Sequence, residues 1–292
     1  MLFGFNLPTY GNNTSAESIV KTAVKAEELG YSDIWTIDHT IMARGYAYPY
    51  GRIFESLTVL SHVAAKTSRV RIGTSILSIP LRNPILVAKQ VVTLDHLSGG
   101  RFIFGVGLGK GEDDIPEFNY LGADYRRRGE YATEAIKIMK TLWTEENPEH
   151  SGKYYKFKDC VFEPKPLQKP HPPIWWAGSS DKALSRVATS GDGWQPITYN
   201  DRPITPEDYA MLRKRLEGML NGRKITYSLR IHLDLHVVSR YRFTTTVEEL
   251  GPRLAAFKRS GAEHVVLDFG DLPAEESLKL MKFFIEDIAP TI

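Results

Sequence analysis

The sequence is poor in several features that would each have pointed to a function. Its 292 residues contain one cysteine, Cys160. An intrachain disulfide and a cysteine metal cluster are therefore both excluded. No apolar run approaches the ~18 residues that a membrane-crossing helix needs. Charge of one sign is not in excess: Lys+Arg 37 against Asp+Glu 35 gives +2, too balanced for a nucleic-acid or anionic-membrane partner. The start, MLFGFNLPTYG, has no basic segment and breaks at Pro8, unlike a secretory leader. A cytoplasmic location is the expectation. Hydrophobic content of 42% is ordinary for a globular protein.

What is present centres on residues 98–111, SGGRFIFGVGLGKG. A strand sends alternate side chains to opposite faces. Phe102, Phe104, Val106 and Leu108 form a bulky face, and Ile103, Gly105, Gly107 and Gly109 form one that is nearly bare backbone. Strand glycines mark close approach by a ligand or by another backbone. Two nucleotide motifs fail here. A G-x-G-x-x-G read from Gly105 or Gly107 meets Lys110 or Glu112 at its last position. A Walker loop would need glycine at Phe104, and Ser or Thr where Gly111 stands.

Along the chain, strand patterns at 3–7, 33–37, 70–77, 102–109, 174–177, 191–194, 227–238 and 263–269 alternate with helical patterns. The helices are expected over 15–30, 54–66, 84–97, 125–143, 179–188, 206–220, 247–259 and 274–288. Strand alternating with helix implies a parallel sheet. Eight such units in one domain, 1–292, predict a (β/α)8 TIM barrel. An open doubly wound sheet is the other architecture, weakened by the absent fingerprint. Proline-rich residues 144–173 read as an insertion, with a small hairpin expected around 154–162.

Active sites of such barrels lie at the carboxyl ends of the strands. His39 is there, after the second strand, and imidazole is the usual proton carrier near neutral pH. Asp38 beside it is a possible orienting group. Gly178, Ser179 and Ser180 follow a strand and open a helix, which suits a phosphate, although Ser179 or Ser180 also makes an ordinary N-cap. Gly191-Asp192-Gly193 adds backbone donors. Arg128, in the Arg126–Arg127–Arg128 cluster, is within reach of a phosphate. His232, Asp234 and His236 alternate with apolar residues on one strand, so the polar set should face the barrel interior. That pattern fits a metal-dependent hydrolase or a hydrogen-bonded polar layer, and no metal site is assigned.

The stretches GFNLPTYG, AEELGYSDIWTIDH, TSRVRIGTSIL, RNPILVAKQVVTLDHLSGGRFIFGVGLG, YRRRGEYATEAIKIMKTLW, PKPLQKPHPPIWWAGSS and ATSGDGWQP together resemble the luciferase-like monooxygenase superfamily, over nearly the whole chain. They are most similar to its deazaflavin branch. The resemblance implies a homodimeric barrel that binds coenzyme F420, or alternatively FMN. It further implies a small-molecule substrate and transfer of a hydride between substrate and deazaflavin; with FMN the activity would be a reduced-flavin monooxygenase. It implies a non-proline cis peptide at Ser75–Ile76 behind the cofactor ring, and a cofactor role for Asp38. Phosphate contacts are implied at Ala177, Gly178, Ser179 and the stretch holding Gly193 and Trp194. His39 becomes the proton-transfer group, with Tyr46, Tyr48 and Tyr50 as a lid or substrate wall. One departure weighs against sugar oxidation: Lys110 stands where sugar-phosphate dehydrogenases of this branch carry a catalytic acid.

Overall fold

The computed structural model describes residues 1–109, 111–198, 203–234, 243–244 and 247–292. Strand and helix alternate in the order β1 (Leu2–Asn6), α1 (Ala16–Glu28), β2 (Asp33–Thr36), α2 (Ser56–Ala64), β3 (Arg71–Thr74), α3 (Pro84–Leu97) and β4 (Phe102–Gly107). They continue through α4 (Ile115–Tyr120), α5 (Arg128–Thr144), β5 (Ile174–Trp176), α6 (Asp181–Ser190), β6 (Gly193–Trp194), α7 (Pro206–Met219), β7 (Thr226–Asp234), α8 (Val247–Arg259), β8 (His264–Asp268) and α9 (Ala274–Phe283). Each strand pairs in parallel with the next, and β8 returns to β1 through Phe3↔Val265, which closes the barrel.

The bulky face of β4 packs outward, as expected. Phe102, Phe104 and Val106 join the helix-side core, whereas Ile103 joins Trp35, Trp175 and Val266 inside the barrel. Local chemistry places the helix starts. Ser15 caps α1 in a reciprocal pair with Ser18, Thr205 does so for α7 with Asp208, and Pro84 opens α3 behind the Asn83 cap.

Three local expectations change. The hairpin in the insertion pairs His150–Ser151 with Lys156–Phe157, earlier than 154–162, and Glu134 on α5 accepts the amides of Lys153, Tyr154 and Tyr155 to hold it. The third strand is interrupted at the cis peptide Ser75–Ile76 and resumes at Leu77–Ser78. Between β4 and the helix expected from 125, where no helix is expected, α4 forms, with Pro116 in its first turn and Gly122 at φ +69° behind its end.

Candidate active site

The carboxyl ends of the strands open into one cavity of about 420 Å³. His39 lies on its wall. Its Nδ1 is 2.8 Å from Glu117 Oε2, and its ring stacks on Tyr50 at 5.0 Å between centroids. Glu117, on α4, is 2% exposed, and its Oε1 also accepts the amides of Thr40 (2.5 Å) and Ile41 (3.3 Å). Burial works against its ionisation, but His39 and these N–H groups outweigh it and hold the carboxyl below its ordinary value. Burial likewise disfavours the His39 imidazolium, and Glu117, Asp114 and Asp38 together overcome that, so its pKa is raised.

The orienting acid is therefore Glu117, and not Asp38. Asp38 lines the cavity, yet its carboxylate is spent on the barrel. Oδ1 takes Arg82 Nη2 at 2.5 Å, and Oδ2 takes Ser78 N at 2.9 Å and Arg82 Nε at 3.2 Å. Asp38 fixes the interrupted third strand and leaves little of itself for a cofactor.

Of the two uses expected for the glycine face of β4, close approach by another backbone applies at Gly105. A Cβ on Gly105 would overlap the carbonyl oxygen of Thr74. The bare position admits the neighbouring strand, and Gly105 does not line the cavity. A Cβ on Gly107 would fall 2.5 Å from Ile76 Cδ1, and Ile76 in turn lines the cavity. Gly109, at φ +83°, faces Asp114 and Phe118. The glycines thus make room for the bulge at Ser75–Ile76 and for the loop before α4. Cavity surface comes from Ser75, Ile76, Gly107 and Gly109 together.

On another wall stand Ala177, Gly178, Ser179 and Ser180 at the start of α6, with Arg128 and Arg186. Ser180 is the N-cap, accepting from Ala183 N at 3.3 Å, and Ser179 beside it is not used as the cap. Arg128 lies 3.7 Å over the Tyr125 ring and donates to its carbonyl at 2.8 Å. The Nε atoms of Arg128 and Arg186 are buried with no hydrogen-bond partner among the described residues. Burial and the Arg128 charge both press the Arg186 pKa down. Two confined cations beside a helix N-terminus make this wall electropositive, which suits an anion. Gly193 and Trp194 lie off this wall. The space above Gly193 is filled by Trp175, and Trp194 is buried against Tyr209, its Nε1 donating to Gly178 O at 2.8 Å. Trp194 thereby braces the loop before α6 from behind.

At the floor, Asp268 gathers Arg230 (2.9 Å), His232 (3.1 Å), Tyr10 (2.9 Å) and the Gly270 amide (2.9 Å). His232 therefore faces inward as the alternation requires, but its Nδ1 is engaged with an acid that already holds an arginine. The Asp234 side chain and His236 lie outside the described residues, and so does Lys110. Among the described residues no three His, Cys, Asp or Glu side chains converge on a metal position.

Sequence reasoning missed Glu117, Arg186 and Arg230. Glu117 was signalled by Pro116 and Gly122, which bound a short helix that runs straight on from the glycine strand's loop. Arg186 sits one and a half turns into α6 and carried no pattern of its own.

Comparison with known proteins agrees with this architecture. The profile of the luciferase-like monooxygenase family matches residues 1–263. The F420-dependent glucose-6-phosphate dehydrogenase of Amycolatopsis mediterranei is 32% identical over 190 residues, 63% of this chain and 56% of that protein. An FMNH(2)-dependent dimethylsulfone monooxygenase of Pseudomonas putida is 38% identical over 142 residues, 47% of this chain and 38% of that one. The matches thus span only about half the length of the first curated relatives, or less. Among solved structures, monooxygenase RslO1 from Streptomyces bottropensis superimposes with TM-score 0.84 at 22% identity, covering 99% of both chains. An F420-dependent secondary alcohol dehydrogenase gives TM-score 0.81 at 18% identity over 99% of this chain and 98% of that one. On its barrel and on the family profile, the chain belongs to the luciferase-like monooxygenase family.

Proposed function

We propose that the protein is an F420-dependent oxidoreductase acting on a small organic substrate. One observation carries this reading: His39 is locked at Nδ1 to a buried, ionised carboxylate, in a cavity whose other wall is built for an anion. When bound, the deazaflavin supplies the hydride donor or acceptor of the reaction. Arg128, Arg186, Ser179 and the α6 N-terminus would hold its phosphate. Ile76, Ser75 and Gly107 would back its ring.

His39 carries the proton. With Nδ1–H directed to Glu117, the neutral ring presents the Nε2 lone pair as a base. The raised pKa keeps imidazolium present above the ordinary histidine range, so the same atom is also an acid. In the oxidative direction Nε2 accepts a substrate hydroxyl proton, and in the reductive direction it returns that proton to the carbonyl oxygen. Tyr46 and Tyr50 wall the cavity beside it, whereas the neighbouring Tyr48 does not line it.

The FMN-dependent relative supports a second reading, a reduced-FMN monooxygenase on the same barrel. Titrating the purified protein with F420 and, separately, with FMN, followed by fluorescence quenching, decides between them. Binding of FMN without binding of F420 would overturn the first reading. We further propose a cytoplasmic homodimer. No described helix is long and apolar enough to cross a membrane. Leu86 and Leu97 on α3 lie exposed, as do Val161 and Leu167 of the insertion, and a second copy would cover such a face. Sedimentation measures this directly.

A further inference from the structure

Residues 39–54, between β2 and α2, leave the barrel and fold back on their own start. Tyr50 returns to lie against His39, with 5.0 Å between ring centroids and 28° between ring planes. Both side chains line the cavity, and the His39 side chain keeps 20% of its surface exposed. The two ends of the loop are joined by one guanidinium. Arg82 takes Asp38 through Nη2 (2.5 Å) and Nε (3.2 Å), and Glu55 through Nη1 (3.1 Å). Its carbonyl accepts the Tyr131 hydroxyl of α5 at 2.8 Å, so the clasp is fixed from behind. The returning limb is tied to the segment after β1. Gly11 N donates to Arg52 O and Phe54 N to Thr9 O, each at 2.9 Å. Tyr10, 2% exposed, stands 4.9 Å from the Tyr50 ring and donates its hydroxyl to Asp268 at 2.9 Å.

Glu117 alone does not fix the imidazole. It meets one atom, Nδ1, and a ring held at one atom can still swing about that contact. A flat neighbour against the ring face stops the swing, because tilting the imidazole would drive its edge into the phenol ring. Offset-stacked rings also attract beyond the area they bury. Once Nδ1 and the ring plane are both set, the direction of Nε2 is set, whichever nitrogen carries the proton. Tyr50 reaches this place independently of Glu117. It is braced by Tyr10 from the segment after β1, whereas Glu117 comes from α4.

We propose that Tyr50 is a positioning residue for the proton carrier: braced by Tyr10 and by the Arg82 clasp on the loop ends, it fixes the plane of the His39 imidazole and so the direction of Nε2. The value of that direction to a reaction rests on the functional reading above, whereas the stack itself does not.

NMR of the His39 ring in the free protein tests it. NOEs should join the His39 ring protons to those of Tyr50, and their absence in the wild type overturns the inference without any variant. Tyr50→Leu keeps an apolar side chain on the loop and removes the aromatic face. 13C relaxation at His39 Cδ2 and Cε1 should then report a more mobile ring. The His39 titration midpoint should fall, the protonation equilibrium moving roughly 2- to 5-fold toward the neutral ring, because an aromatic face favours a cation. Glu117, Asp114 and Asp38, the acids that act on His39, are unchanged in this variant, and Arg82 remains on Asp38. Tyr50→Phe removes only the hydroxyl and should restore both the rigidity and the midpoint. A purely structural role for Tyr50 would lower stability and move neither signal. A His39 ring in Tyr50→Leu as rigid as in the wild type, an unmoved midpoint, or failure of Tyr50→Phe to restore them would refute the positioning role. Wild-type protein that binds no F420 would defeat the functional reading alone, with the His39 spectra still deciding the stack.

Discussion

Glu117→Gln is the most discriminating change in the site, because it keeps the shape of the side chain and alters only its charge and hydrogen polarity. Glu117 Oε1 takes two backbone N–H groups, from Thr40 and Ile41, and Oε2 takes His39. In the variant the amide oxygen is held by those two N–H groups, so the NH2 must face His39 Nδ1. The imidazole then accepts at Nδ1 and carries its proton on Nε2, the reverse of the wild-type tautomer. The base is lost and the imidazolium is left with a donor against it. A hydrogen bond to a charged group contributes about 1.5–3 kcal/mol, so a reaction depending on this pair should slow roughly 10- to 150-fold. The His39 titration midpoint, followed by imidazole NMR, should fall from its raised value, since Glu117 is the main group raising it against burial. The sign for stability follows. With a raised folded pKa, the stabilisation from His39 is fully present below the ordinary histidine value and is lost as pH rises through the folded one. Wild-type protein should therefore lose stability relative to Glu117→Gln across that window. A double-mutant cycle with His39→Ala completes the test: the two losses should be far from additive. An unshifted His39 midpoint, or additive losses, would refute the pairing.

Four further outcomes follow from the same geometry. Asp33, held at about 2 by His264, Arg71 and Trp35 against its burial, stabilises the fold above its ordinary value of 3.8, and that contribution is lost as pH falls through about 2. Urea midpoints of wild type and Asp33→Asn should thus differ at neutral pH and converge in acid, and a constant difference would refute this. Gly105→Ala should destabilise by about 1–3 kcal/mol, because its Cβ meets the Thr74 backbone, while Gly107→Val should fold but drive Ile76 into the cavity, with a roughly 10-fold loss of cofactor affinity by calorimetry. Normal affinity in Gly107→Val would sink that account of the strand. Arg128→Ala and Arg186→Ala should each weaken FMN roughly 10-fold or more yet leave riboflavin, which lacks the phosphate, nearly unaffected, and an equal loss for both would exclude the anion role.

How far the sequence could be read depends on the range of the interaction concerned. The barrel was legible because its determinants are local and repeated: period-2 and period-3.6 patterning, caps such as Ser15, and Pro84 at a helix start each act within a few residues. His39 and the α6 N-terminus were legible for the same reason, since a residue just past a strand's end has its position set by that strand. What stayed hidden depends on pairs far apart in the chain. His39 and Glu117 lie 78 positions apart, and Asp38 is taken by Arg82 across 44. Adjacent acid and base in Asp38-His39 suggested a partnership, but neighbouring residues on an extended chain point apart, and each side chain found its partner elsewhere. The glycine strand shows the limit most clearly. Alternation established that one face was bare, and it could not say what would fill the bareness. The occupant at Gly105 is the Thr74 carbonyl and at Gly107 the Ile76 side chain, both delivered by an interruption in the neighbouring strand. The same emptiness therefore serves the cavity at one remove: the glycines admit the bulge, and the bulge, braced by Asp38 on one side and Gln195 on the other, makes the wall.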